Sequence, residues 1–100
     1  MTLNDGCRSL HAAVMPTLSV FYGIVIRMFY DDHAPPHFHA QYGEHKAVIG
    51  IQTLEIIDGD MPPRARALVL EWASLHRAEL ARDWDLCQAR QAPVRIDPLP

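Results

Sequence analysis

The sequence has few of the features that mark secreted, membrane-spanning or redox-active proteins. It holds two cysteines, Cys7 and Cys87, which lie far apart and form no Cys-x-x-Cys pair. This spacing suggests neither a zinc knuckle nor a redox motif, so we expect free thiols in a reducing cytoplasm. The apolar runs are too short to cross a bilayer, and residues 1–14 lack the continuous apolar stretch of a signal peptide. We therefore predict a cytoplasmic protein with no membrane partner.

An excess of positive charge is also missing. Nine Lys and Arg residues against twelve Asp and Glu residues give a formal net charge of −3 with neutral histidines. Binding of nucleic acid without sequence preference depends on many cationic contacts to phosphates, so this balance disfavours a nucleic-acid partner. What is present is an ordinary globular composition: 100 residues, 49% hydrophobic and 21% charged. That length predicts one domain with a single modest core.

Apolar patterning predicts an antiparallel sheet of three to four strands in meander order. Residues 21–30 are rich in β-branched and aromatic side chains, and we expect one strand there. Residues 37–42 alternate polar and apolar with a period of two, which is typical of a half-buried strand. A further strand is expected over 54–57, and Asp58-Gly59-Asp60 is expected to end the sheet.

The dipeptide Gly43-Glu44 predicts a two-residue hairpin of type II′, because glycine comes first. Such a turn sets the register of the two strands, and apolar residues then face apolar residues. The expected pairs are Gln41 with Lys46, Ala40 with Ala47, His39 with Val48, Phe38 with Ile49, and His37 with Gly50.

A single long helix is expected from Arg64 to about Ala89, after Pro62-Pro63, because proline is tolerated in a first helical turn. Sheet and helix together predict a two-layer α+β domain over residues 15–97. Residues 1–14 are interpreted as a flexible N-terminal extension and residues 98–100 as a C-terminal tail.

Strand parity separates two faces of this sheet. The helix is expected to cover the face that carries Phe38 and Ile49, and His76 of the helix then lies on that side. The opposite, uncovered face carries polar side chains. These are Arg27, His37, His39, Gln41 and Lys46.

Three of the six histidines lie in one short stretch with two aspartates and a Pro-Pro pair. A His-x-His pair on a strand directs two imidazoles to one side, where zinc accepts nitrogen ligands together with a carboxylate. The candidate metal ligands are His33, His37 and His39, with Asp31 or Asp32. The alternative is that these histidines only hydrogen-bond the proline loop and hold its shape.

Two further interpretations concern the uncovered face. Arg27, His37, His39 and Lys46 are candidates for binding an anion or cleaving RNA, since histidines transfer protons near neutral pH. The alternative is an ordinary polar solvent face.

An apolar strip of Val25, Phe29 and Val48 is expected on the same face, which is typical of a partner interface. It suggests a small protein partner or a homodimer.

Three segments also resemble a known family. They are Phe21-Tyr22-Gly23-Ile24, Asp32-His33-x-Pro35-Pro36-His37-Phe38-His39-Ala40, and Glu71-Trp72-Ala73-x-Leu75-His76-x-x-Glu79-Leu80. Together they resemble a family of small bacterial proteins catalogued as a domain of unknown function, over about residues 15–96. The resemblance implies a cytoplasmic protein encoded beside another small protein, in an arrangement similar to a toxin–antitoxin pair. It implies no catalytic residue.

The sequence therefore leads to two functional hypotheses. The first is a protein-binding component of a two-gene module, with no cofactor. The second is a histidine-based nuclease or a metal-assisted hydrolase, with zinc as the candidate metal. An enzyme requires a concave site on which the imidazoles converge, whereas a binding module requires only a flat, partly apolar face.

Overall fold

The computed structural model describes residues 15–100, and the predicted flexible extension 1–14 lies outside them. Five strands form one antiparallel sheet in sequence order, and two helices follow. The α+β class and the meander order are confirmed, whereas the predicted count of three to four strands is wrong. The elements are β1 (Thr17–Phe21), β2 (Ile24–Arg27), β3 (His37–Tyr42), β4 (His45–Gly50), β5 (Ile56–Gly59), α1 (Pro63–Leu75) and α2 (Arg77–Gln88).

The apolar run at 21–30 is not one strand, because a turn at Tyr22-Gly23 divides it. Both turn residues have positive φ angles, 50° and 81°. Two consecutive positive φ angles are characteristic of a type I′ hairpin turn, which joins β1 to β2. The turn carries no Asn, Asp or Ser, so the apolar pattern continues through it. The sequence pattern therefore does not indicate the turn.

The hairpin of β3 and β4 has the predicted register at every one of the five expected pairs, and Tyr42 faces His45 as a sixth. Gly43 has a φ of 60°, as the first position of a type II′ turn requires. The core face of the hairpin is buried, with Phe38 0% and Ile49 2% exposed. The side chains of β3 therefore alternate between the two faces of the sheet as the sequence predicts.

The fifth strand begins two residues later than expected. Leu54 has a φ of 57° and its amide donates to the carbonyl of Gly50 at 2.9 Å, so it belongs to the turn rather than to a strand. The strand then continues through Asp58 and Gly59, which the sequence placed after the sheet. Gly59 faces Ala47, and its φ of 81° brings its backbone close to Lys46.

The single long helix predicted for 64–89 is also wrong, because it is broken at His76. This residue has φ −123° and ψ 27°, outside the helical region. The break explains the two apolar lines in the sequence. Val69, Trp72 and Ala73 are buried in α1, and the stripe of α2 lies at a different angle, with Leu80, Trp84 and Cys87. One straight helix would turn the second stripe away from the sheet.

Trp72 lies at the centre of the core between sheet and helix. Its ring centroid is 5.4 Å from Phe21 and 5.9 Å from Phe38, and its indole N–H donates to the carbonyl of Asp97 at 2.8 Å. The C-terminal segment is extended rather than a strand. It runs along β1, where the amide of Ile96 donates to the carbonyl of Leu18 at 2.8 Å. Leu99, within the predicted tail, is buried.

Cys87 is a free, buried thiol. Neither α1 nor α2 combines the length and the apolarity that a bilayer-crossing helix requires.

Candidate functional site

The loop between β2 and β3 is held on the end of α2, and this fixes the side chains that follow it. The amide of Asp31 donates to the carbonyl of Cys87 at 3.2 Å, and the Asp31 carboxylate pairs with Arg90 at 2.9 Å. At the other end of the loop, the carbonyl of Pro36 accepts from the amide of Ile51 at 3.0 Å. Between these anchors Asp32 points toward the start of β3.

Asp32 brings two histidines of β3 together. Its Oδ2 lies 2.8 Å from Nε2 of His37 and 3.4 Å from Nε2 of His39, and its Oδ1 accepts from the amide of His33 at 2.8 Å. One ligand atom from each of Asp32, His37 and His39 lies within 4.8 Å of the other two. We call these three residues the Asp-His-His cluster.

His37 is fixed on both sides of its ring. Nδ1 donates to the carbonyl of Pro35 at 2.7 Å, and the ring centroid lies 5.0 Å from that of Trp84 in α2. The residue is only 8% exposed. The prediction that His37 lies on an uncovered face is therefore wrong. His37 begins β3, where α2 and the loop docked on it cover the end of the sheet.

His39 is the member of the cluster that opens toward solvent. Its side chain is 26% exposed, and its ring centroid lies 4.3 Å from that of Phe29 at an angle of 30°. Burial lowers the pKa of His39, and its hydrogen bond to Asp32 opposes this only in part. Burial by itself raises the pKa of Asp32, but bonds from His33, His37 and His39 outweigh it and the pKa is lowered. At neutral pH the cluster therefore offers a carboxylate and a neutral His39.

The other candidate ligands do not join the cluster. His33 is exposed and contributes its backbone amide, and Asp31 pairs with Arg90. His76 lies on the helical layer, where Nδ1 is 2.5 Å from Oε1 of Glu79. The sequence separated His76 from the strand histidines, and the cluster indeed excludes it.

A pocket of about 470 Å³ lies on the open face of the sheet, next to His39. Two rows of cross-strand neighbours form its floor. Nη1 of Arg27 donates to Oε1 of Gln41 at 3.0 Å across this floor. The first row is Arg27, His39, Val48 and Asp58, and the second is Val25, Gln41 and Lys46; Met15, Phe29, Ala40, Ala47 and Gly59 complete the lining.

The pocket thus combines residues that the sequence assigned to different functions. Arg27, His39 and Lys46 were catalytic candidates, and Val25, Phe29 and Val48 were the expected apolar strip. The sequence did not predict that the surface is concave, nor that Asp58 ends one row of its floor. The sequence analysis placed Asp58 after the sheet. A prediction that β5 ends at Gly59 would have identified Asp58 as a neighbour of Val48.

A comparison with protein families gives the wider context. The family model described as a domain of unknown function, DUF4160, matches residues 23–85, which is more than half of the chain. The chain belongs to this family. The matched part of the DUF4160 protein contains the whole Asp-His-His cluster, with Arg27 and Lys46. No curated protein and no solved structure matches the chain.

Proposed function

We propose that the Asp-His-His cluster binds a divalent transition-metal ion, zinc in the first instance, and that the metal supports hydrolysis of a substrate held in the adjoining pocket. The observation that carries this proposal is the orientation of His37. Its Nδ1 faces the carbonyl of Pro35 and its Nε2 faces the carboxylate of Asp32.

The carbonyl of Pro35 can only accept a hydrogen bond, so the proton of a neutral His37 ring belongs on Nδ1. The Nε2 lone pair then points at a carboxylate oxygen, which repels it. A second ring proton relieves this repulsion, and so does a cation bound between nitrogen and oxygen. Metal-bound histidines typically donate their other ring N–H to a backbone carbonyl or a carboxylate, as His37 does to Pro35.

The distances within the cluster suit a small ion. Ligand atoms about 2.0–2.2 Å from a tetrahedral zinc lie about 3.3 Å from one another. His39 Nε2 and Asp32 Oδ2 are 3.4 Å apart, and His37 Nε2 and the same oxygen are 2.8 Å apart. All the ligand atoms lie within 4.8 Å of one another, so zinc binding would widen the second pair and adjust the separation of the two nitrogens. Three protein ligands leave a fourth position open, as in catalytic zinc sites.

A metal in that position would lower the pKa of its bound water and provide a hydroxide near neutral pH. In such a hydrolysis the water oxygen would bond to the electrophilic atom of the substrate and the ester bond would break, and the proton released by the water would pass to the leaving oxygen. Of the cluster, His39 lines the pocket, so a substrate would approach that water from the His39 side. By the distinction drawn from the sequence, this concave site favours the hydrolase over a flat binding module.

The test is a zinc titration by calorimetry on tag-free protein, with Asp32→Asn, His37→Ala and His39→Gln variants. We expect one site that each substitution weakens at least tenfold. His45→Ala is the matched control, because His45 is an exposed histidine on the neighbouring strand. The zinc-loaded protein should hydrolyse bis(p-nitrophenyl) phosphate, and the Asp32→Asn variant should not.

Circular dichroism shows which variants keep the fold. If His37→Ala, at a buried position, does not fold, Asp32→Asn and His39→Gln still test the site. Equal zinc binding by folded wild-type and Asp32→Asn protein would contradict the proposal.

The second candidate function is the protein-binding component of a two-gene module, and one observation favours it. The pocket is lined in part by the apolar side chains of Val25, Phe29 and Val48. Val20, which pairs with Val25 on the neighbouring strand, is 49% exposed. Co-expression with the neighbouring gene product, purification of the complex and a growth assay test it. We expect Val48→Asp to abolish the complex, and a complex that withstands this substitution would exclude the open face as the interface.

A further inference from the structure

The pocket beside the cluster has a distinctive pair of cations. Lys46 is the only lysine of the chain, and it lies on β4 opposite Gln41. Arg27 lies on β2 directly opposite His39. Within residues 15–100 neither cation has a carboxylate partner at ion-pair distance. The carboxylate of Asp58 also lines the pocket, but it forms no ion pair with either cation.

Arg27 is also held in place for an anion. Within residues 15–100 its one side-chain hydrogen bond, from Nη1 to Oε1 of Gln41, uses one of five N–H donors. This bond holds the guanidinium at the pocket floor, where Gln41 lies opposite Lys46. The remaining donors suit the bidentate recognition of a phosphate or a carboxylate, and lysine adds a point charge. Because Arg27 faces His39, a group bound there lies next to the Asp-His-His cluster.

The size and the walls of the pocket define the rest of the ligand. A volume of about 470 Å³ is in the range of small-molecule sites. Val25 and Val48 provide apolar surface, and Phe29 offers an aromatic ring for stacking. The pocket holds two cations and one carboxylate, Asp58, and this excess of positive charge suits a single phosphate group. A net charge of −3 for the whole chain disfavours a long polyanion.

We infer that the pocket binds a phosphate ester the size of one nucleotide, with Arg27 and Lys46 on the phosphoryl group and the organic part against Phe29, Val25 and Val48. That this ester is the substrate rests on the proposed function. Its binding to the pocket does not, because the binding is measured without metal.

The single lysine provides a selective probe. Reductive methylation with ¹³C-formaldehyde keeps the charge of Lys46 and places one dimethylammonium signal in the pocket, apart from that of the N-terminal amine. The probes are adenosine 5′-monophosphate, inorganic phosphate, adenosine and a ten-nucleotide single-stranded RNA. Calorimetry on unmodified protein checks each affinity.

We expect adenosine 5′-monophosphate to shift the Lys46 signal to saturation and to bind at least tenfold more tightly than phosphate or adenosine. Arg27→Gln should weaken its binding at least tenfold. The matched control is Arg77→Gln, because Arg77 is an exposed arginine of α2 outside the pocket. That variant should bind as wild type.

Equal binding of adenosine and its monophosphate would overturn the inference, and so would equal affinities of the Arg27→Gln and Arg77→Gln variants. Binding of the RNA without binding of the mononucleotide would show a polymer site and overturn it as well. Each of these results is separable from the proposed metal centre. If the protein binds zinc but not the monophosphate, the proposed metal centre stands and this inference fails. If it binds the monophosphate but not zinc, the phosphate site stands and the metal centre fails.

Discussion

His37 and His76 show at the scale of single residues how two histidines beside carboxylates differ. His76 has one carboxylate partner, Glu79, and lies 5.5 Å from the ring of Trp72, centroid to centroid. That arrangement needs nothing beyond an ordinary hydrogen bond. His37 faces an oxygen with each ring nitrogen. A neutral ring has one proton for those two oxygens, so the arrangement at His37 suits either a bound cation or a second ring proton.

Asp83 presents a buried carboxylate outside the cluster. It is fully buried in α2; Oδ1 accepts from the amide of Val94 at 2.8 Å, and Oδ2 has no partner in residues 15–100. Burial raises the pKa of Asp83. The folded protein therefore keeps this proton at pH values where the unfolded chain has released it. The stability that the protonated form contributes is lost as the pH rises through the folded pKa.

We predict that Asp83→Asn becomes increasingly stable relative to wild type as the pH rises from about 4 toward neutrality, because asparagine stays uncharged. Urea unfolding between pH 4 and pH 8 measures the difference. Asp83→Ala is the control: it is also uncharged but leaves the amide of Val94 without its acceptor, so it should be about 1–3 kcal/mol less stable than Asp83→Asn at every pH. A difference between Asp83→Asn and wild type that does not change with pH would contradict this account.

At the scale of elements, the hairpin of β3 and β4 was predictable and the helix break was not. In the hairpin a glycine-first turn and the alternation of apolar residues agree, and together they fix which residues face each other. Leu75-His76-Arg77 contains neither glycine nor proline, so no local signal marks the end of α1. The break follows from packing against the sheet, which a sequence does not display.

Two glycines test how closely β5 approaches β4. Gly43 and Gly59 both have positive φ angles, 60° and 81°. A Cβ on Gly43 would meet nothing within 4 Å, whereas one on Gly59 would lie 2.2 Å from the carbonyl oxygen of Lys46.

We predict that Gly43→Ala costs about 1–2 kcal/mol, from backbone strain alone. Gly59→Ala should cost about 1–3 kcal/mol more, because the backbones of β4 and β5 must separate. Chemical denaturation of both variants measures the two costs. Equal costs would show that β5 does not pack on β4 as described.

At the scale of the whole molecule, one side of the sheet is used for stability and the other is available for chemistry. The helices and the C-terminal segment cover the face with Phe38, and the pocket occupies the opposite face, except at the end of the sheet where α2 also covers His37. Strand parity predicted this division. It could not predict that Asp32 reaches His37 and His39, because the path of the loop depends on its contacts with Cys87 and Arg90, which are distant in sequence.

The most direct test of the metal centre is anomalous diffraction at the zinc absorption edge, on crystals grown with one equivalent of zinc. We predict a single strong peak about 2.0–2.2 Å from Nε2 of His37, Nε2 of His39 and a carboxylate oxygen of Asp32. A peak at His33, His45 or His76 with none at the cluster, or no peak at all, would contradict the account.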